Sequence, residues 1–104
     1  MSVGIASTEK IPKKFSLSQN YPNPFNPITN IRYDIPVQIE VELIIYDILG
    51  KKVKTLIHQT LQPGFYEAIW DGTNERGLNV PSGMYFYRLN TPIYSKTYKM
   101  IFLR

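Results

Sequence analysis

The stretch VELIIYDILG, residues 41–50, decides how the chain is read. Val41, Leu43 and Ile45 alternate with Glu42, and Glu40 extends the pattern backward. A period of two sends apolar side chains to one face and charges to the other, as in a strand with one buried face. The run then closes on Asp47 and Gly50. An aspartate opening a tight turn can bond nearby backbone, and glycine takes the left-handed conformation that the turn's end requires. A return strand over Lys51–Gln59 is expected next, with Val53, Thr55 and Ile57 on one face.

The same period recurs on both sides of this hairpin. Upstream, Ile31, Tyr33 and Ile35 alternate with Arg32 and Asp34. Downstream, Pro63 and Gly64 mark a turn, after which Tyr66, Ala68 and Trp70 alternate around Glu67. Residues 71–83 are polar, hold three glycines and read as a long loop. Tyr85, Tyr87 and Leu89 then form a strand around Arg88, broken at Thr91 and Pro92, and Tyr98, Met100 and Phe102 form another around Lys99. With a first edge strand starting near Phe15, the count is about seven short strands and no helical window. That pattern implies an all-β antiparallel sandwich or barrel. The expected core is Ile31, Tyr33, Val41, Leu43, Ile45, Val53, Tyr66, Trp70, Tyr85, Tyr87, Leu89, Met100 and Phe102. Each large apolar side chain fully buried contributes roughly 1.5–3 kcal/mol.

Composition agrees and narrows function. The 104 residues suit one domain, 15–104, preceded by a linker or disordered segment over 1–14. There is no cysteine, which removes disulfides, thiolate metal sites and cysteine nucleophiles. The net charge of +4 is partly local. Setting Lys10, Lys13, Lys14 and Glu9 aside leaves nine basic and seven acidic groups in the body. A nucleic-acid partner is therefore not expected, since its readers concentrate basic groups on one face. The one tight cluster, Lys51, Lys52 and Lys54, falls at the hairpin and reads as solvated charge. No apolar stretch approaches the ~18 residues of a spanning helix. Residues 1–7 carry no secretory signal, so export would need a signal elsewhere, and the chain is expected to be a piece of a longer protein.

No constellation for catalysis stands out. His58 is the single histidine, at a strand end, where surface placement is expected. Asp71, Asn74 and Glu75 do not reproduce a calcium-loop spacing and read as turn formers. Ser82 lies in a Ser-Gly pair without a strand-to-helix turn, and no glycine cluster precedes a helix. Trp70, Tyr85 and Tyr87 could stack on a sugar, but their alternation assigns them to the core. No catalytic or metal-binding residue, cofactor or small-molecule substrate is expected.

The most distinctive run is QNYPNPFNP, residues 19–27. Three prolines near alternate positions remove amide donors and exclude an interior strand, so the segment is a rigid connection. The longer run FSLSQNYPNPFNP (15–27) closely resembles the opening of the C-terminal sorting domains of the type IX (Por) secretion system. IRY (31–33), VELIIYDILG (41–50), WDG (70–72), Gly77, SGMYFYRL (82–89) and KMIFLR (99–104) follow in the family's order. The later motifs also resemble the Ig-like domain of flagellar hook-capping proteins, which implies an Ig-like β-sandwich.

What the resemblance implies is an address. Such domains close proteins that cross the inner membrane by a signal peptide and are read in the periplasm by an outer-membrane translocon. The cargo then reaches the cell surface or the medium, often after the domain is cleaved. The implied partners are that translocon and the N-terminal cargo domain of the same polypeptide. The family's motif regions fall on residues 21–27, 83–85 and 99–104. Candidate recognition residues are therefore Tyr21, Pro22, Asn23, Pro24, Pro27, Gly83, Tyr85, Lys96, Lys99 and Arg104. Lys96, Lys99 and Arg104 are expected to point outward from a strand anchored by Tyr98, Met100 and Phe102. The chain closes on Arg104 where many relatives close on Lys. The competing expectation is an Ig-like interaction, spacer or carbohydrate-binding module attached to a secreted enzyme.

Overall fold

The structure, a computed structural model, describes residues 11–104; most of the expected linker, residues 1–10, lies outside the described residues. Seven strands run in order: β1 (Ser16–Leu17), β2 (Thr29–Ile35), β3 (Ile39–Tyr46), β4 (Lys52–Leu61), β5 (Gly64–Trp70), β6 (Gly83–Asn90) and β7 (Ser95–Phe102). They form a three-stranded sheet, β1-β2-β5, and a four-stranded sheet, β4-β3-β6-β7. Every pairing within the two sheets is antiparallel. Of the antiparallel sandwich or barrel expected from alternation, the sandwich is the observed fold, as the resemblance to Ig-like domains implied.

The two sheets close over the apolar faces of their strands. Eleven of the thirteen expected core residues are buried, and Val53 and Tyr66 are only half-buried. Both exceptions lie on edge strands. β4 shifts register against β3 between Leu43 and Ile44 and again between Ile45 and Tyr46. Each bulge inserts a residue and resets the alternation. Ile57 thus stands opposite Leu43, Thr55 opposite Ile44 and Lys54 opposite Ile45, so Val53, Thr55 and Ile57 do not share one face. Tyr66, on β5, stacks on Tyr33 at 5.5 Å and donates its hydroxyl to the Gln62 carbonyl at 2.6 Å.

The hairpin between β3 and β4 forms as its residues dictate. Asp47 Oδ1 accepts the amides of Leu49 and Lys51, both at 2.9 Å, and Gly50 has φ +81°. Leu17, Phe25, Ile35, Leu61, Ala68 and Val80 join the core cluster beyond the expected set. Phe25 matters most among them, because it comes from the proline-rich connection and reaches the interior from a loop.

Candidate functional site

The proline-rich connection is folded by two buried polar side chains, Asn20 and Thr29. Asn20 Nδ2 donates to the Pro22 carbonyl (3.1 Å) and to Thr29 Oγ1 (2.9 Å), and Thr29 Oγ1 donates to the same carbonyl at 2.8 Å. Buried polar atoms cost free energy unless paired, and here each finds a partner. Tyr87, on β6 of the other sheet, completes the arrangement. Its hydroxyl donates to the Ser18 carbonyl and accepts the Asn20 amide, both at 2.7 Å. Burial pushes the Tyr87 hydroxyl far above the ordinary tyrosine range, against the opposing effect of the Asn20 amide. It therefore stays protonated and able to donate.

So held, the connection lies along the outer edge of β7. The Phe25 amide donates to the Ile101 carbonyl and the Leu103 amide to the Phe25 carbonyl, both at 3.0 Å. Asn23 Oδ1 accepts the Ile101 amide at 2.9 Å, and Gln19 Nε2 donates to the Lys99 carbonyl at 2.8 Å. Prolines cannot donate to a ladder, but the residues between them can. The alternation of proline with Asn23 and Phe25 supplies one acceptor and one strand-like residue where β7 needs them.

Phe25 then enters an aromatic cluster at this end of the sandwich. Its ring stacks on Phe102 at 4.8 Å and lies 5.6 Å from Trp70, while Trp70 meets Tyr85 edge-on at 5.3 Å and Phe102 at 5.9 Å. The polar tips are satisfied: Trp70 Nε1 donates to the Thr73 carbonyl and the Tyr85 hydroxyl to the Pro81 carbonyl. Gly72, at φ +76°, lies flat against Phe102, and a Cβ there would sit 2.6 Å from the ring. The motifs at residues 21–27, 70–72, 82–85 and 99–104, far apart in the chain, thus build one structure.

The closing cations Lys96, Lys99 and Arg104 are all exposed, but they are directed differently. Arg104 folds back onto the chain. Its guanidinium lies 4.5 Å over the Phe102 ring and donates to the carbonyls of Val80 (2.7 Å) and Gly72 (2.9 Å). Its own amide donates to Ser82 Oγ at 2.8 Å. A planar fork with several donors can bridge two carbonyls in this way. Lys96 has the parity of Tyr98 and Met100 and so belongs to the core-side face; its Nζ lies 5.2 Å from the Tyr98 ring centroid. Tyr98 itself is only half-buried. Of the three cations, only Lys99 stands on the outer face of β7. Tyr85 is buried, whereas Tyr21, Pro22, Asn23, Pro24, Pro27 and Gly83 are exposed, with Tyr21 at 77%.

Sequence reasoning quoted Gln19, Asn20 and Ser82 within motifs but gave them no structural role, and it did not single out Thr29. Asn20 and Thr29 had a signal: two small polar residues bracketing a proline-rich run are well suited to tie it off.

The remaining expectations can be placed. Trp70, Tyr85 and Tyr87 are core and form no exposed platform. His58 is exposed, 3.3 Å from Glu40 Oε2 and 3.5 Å from Glu42 Oε2. Asp71, Asn74 and Glu75 are spent on the chain itself. Asp71 Oδ1 accepts from Thr73 Oγ1 at 2.6 Å, Asn74 Oδ1 accepts the amides of Arg76 and Leu78, and Glu75 Oε2 accepts the Thr55 amide. The Thr73 hydroxyl, and secondarily Lys54, hold the Asp71 carboxyl below its ordinary range. Exposed Tyr21 borders a 410 Å³ groove with Ser18, Gln19, Asn30, Arg32 and Glu67.

Comparison with known proteins gives this architecture a family. In structure the chain resembles PorU of Porphyromonas gingivalis, solved in its dimeric latent form, with TM-score 0.66 and 23% identity over 88% of this chain and 10% of that one. It resembles PorZ of the same organism, described as an essential surface component of the type IX secretion system, with TM-score 0.56 and 21% identity over 86% of this chain and 11% of PorZ. At these identities the likeness shows the fold alone. FlgD from P. aeruginosa has TM-score 0.55 and 28% identity over 71% of this chain and 57% of FlgD. The chain therefore spans about a tenth of PorU and PorZ and little more than half of FlgD. No curated protein matches. The model of the FlgD Ig-like domain matches residues 28–91, more than half of the sequence, and the chain belongs to that family.

Proposed function

We propose that the domain is a non-catalytic C-terminal sorting signal that directs a larger exported protein through the type IX secretion system to the cell surface or medium. The observation that carries this reading is convergence. The three segments implied by the family resemblance, residues 21–27, 83–85 and 99–104, meet at one end of the sandwich, joined by main-chain bonds between Phe25, Ile101 and Leu103. A translocon reading a folded address needs such a surface. Tyr21, Pro22, Asn23 and Pro24 on the connection, with Lys99 beside them on β7, offer exposed groups on a fixed frame. Arg104 serves indirectly, by pinning the segment. The cargo is the N-terminal part of the same polypeptide, and the domain acts in the periplasm.

Deleting residues 99–104 would also remove Phe102 from the core, so it is a poor test. Instead, residues 15–104 are fused to a periplasmic reporter in a host with the secretion machinery, and Tyr21→Ala and Lys99→Ala are introduced together. Both side chains are exposed, so folding by circular dichroism should be unchanged while the reporter stays in the periplasm. Normal surface delivery of the folded double variant would refute the reading. The groove beside Tyr21, with its amide, guanidinium and carboxylate groups, favours a second reading as a carbohydrate-binding module. That reading predicts glycan binding lost in Tyr21→Ala with delivery intact.

A further inference from the structure

The sandwich has four edge strands, and they are finished unequally. The outer edge of β7 is covered by the connection at Lys99, Ile101 and Leu103. β4 carries two bulges, and its edge at Val53 and Thr55 is bonded by the Glu75 amide and carboxylate. β1 is only two residues long. Short strands, bulges and covering loops are the usual protections against pairing with another chain. β5 has none of them over its seven residues.

Parity shows which groups β5 leaves open. In β2, Asn30 and Arg32 bond on the β1 side, to Tyr21 and Ser18. Alternate residues of a strand bond to opposite sides, so Ile31 and Tyr33 bond to β5, where their partners are Ala68 and Tyr66. Phe65, Glu67 and Ile69 therefore turn their amides and carbonyls away from the sheet. Among the described residues nothing bonds them. Their side chains lie on the outer face, with Phe65 and Ile69 at 59% and 60% exposure.

We infer that β5 is a docking edge for an extended polypeptide segment with an apolar–basic–apolar alternation, which adds a fourth strand to the β1-β2-β5 sheet. Backbone bonds to Phe65, Glu67 and Ile69 provide affinity, and the alternate side chains provide choice. Charge selects the occupant. Glu67 stands at the centre of the edge between two apolar residues, with Arg32 on its other side at 3.9 Å. A basic side chain opposite Glu67 makes a row of alternating charge across the sheet. A second copy of β5, paired antiparallel about its centre, would instead set two Glu67 carboxylates against each other, which is unfavourable.

The test uses the full 104-residue chain, isotopically labelled, with two synthetic probes, TVTVKVTVT and TVTVEVTVT. In the free protein, the amides of Phe65, Glu67 and Ile69 should exchange with deuterium fast while those of Tyr66 and Ala68 are slow. The lysine probe should slow all three and bind about threefold tighter than the glutamate probe. Glu67→Lys, an exposed substitution that leaves the fold intact, should reverse that order. Three findings would each overturn the inference: slow exchange of the three amides in free monomer, equal affinity for both probes, or protection that appears only with concentration-dependent dimerisation. The last would assign the edge to a second copy.

Discussion

β7 and β4 are the two edges of one sheet, yet the chain finishes them in opposite ways. β7 is flanked by a loop that supplies main-chain bonds, a stacked phenylalanine and a close-fitting glycine. β4 is bulged, touched at one place by Glu75, and lined by the half-buried Val53, Leu56 and Ile57. The contrast teaches where this small domain concentrates its specificity. A half-buried, bulged edge can absorb a lost methylene by settling. An edge locked by rings and bonds from four distant segments cannot, because interiors packed to crystal density relax little.

Truncation should expose that difference most sharply. Phe102→Ala removes a ring in contact with Phe25, Trp70 and Gly72 and should cost about 3–5 kcal/mol of unfolding free energy. Ile57→Ala, on β4, should cost about 1–2 kcal/mol, because its side chain is only partly buried against the core. Urea unfolding of both variants measures the gap, and equal losses would erase the distinction between the edges.

A pair of glycines sharpens it further. Gly72 and Gly50 both have positive φ, +76° and +81°, but only Gly72 has a ring where a Cβ would go. Gly50→Ala should lose about 1 kcal/mol, the cost of a left-handed alanine. Gly72→Ala adds the clash with Phe102 and should lose about 2–4 kcal/mol. Similar losses at both sites would mean that Phe102 moves aside freely, contrary to a locked end.

The next smaller effect concerns Arg104. Lysine would keep the charge but could not fork between the Val80 and Gly72 carbonyls or lie flat on Phe102. Arg104→Lys should lower stability by about 1 kcal/mol, and Arg104→Ala by slightly more. If the lysine variant matches the wild type, the guanidinium contacts contribute nothing beyond charge.

These contrasts follow what was legible in the sequence and what was not. Alternation in the sequence disclosed every strand from β2 to β7, and in all but β4 it corresponds to one wet face and a period of two. The turn at Asp47–Gly50 was legible because its residue types have few other uses. The β4 bulges left no such trace: Val53, Thr55 and Ile57 look like a regular strand, and only pairing with β3 reveals the inserted residues. Parity did place Lys96 on the core side of β7, yet its charge suggested an outward role. Arg104 lies past the last paired residue, where alternation says nothing about direction. The convergence of the motifs was suggested by a resemblance alone. Local patterns hold no information on contacts such as Phe25 with Phe102, which lie far apart in the sequence.

The smallest expected effect sits where the two edges are tied together. Lys54, on β4, donates to Thr73 Oγ1 at 3.0 Å, and Thr73 donates to Asp71, beside Gly72 of the locked end. The Thr73 hydroxyl holds the Asp71 carboxyl below its ordinary value of 3.8. A carboxyl with a depressed folded-state pKa is stabilising above its unfolded value, and that contribution fades as pH falls through the folded one. Between about pH 5 and pH 2 the wild type should therefore lose stability that Asp71→Asn does not lose. Asp71 is 54% exposed, so solvent screens the charge and the difference should be no more than about 0.5 kcal/mol. Urea midpoints of both proteins across that range measure it. A larger difference would mean that the Lys54–Thr73–Asp71 link transmits strain between the edges, and the contrast drawn from β4 and β7 would have to be narrowed to their far ends.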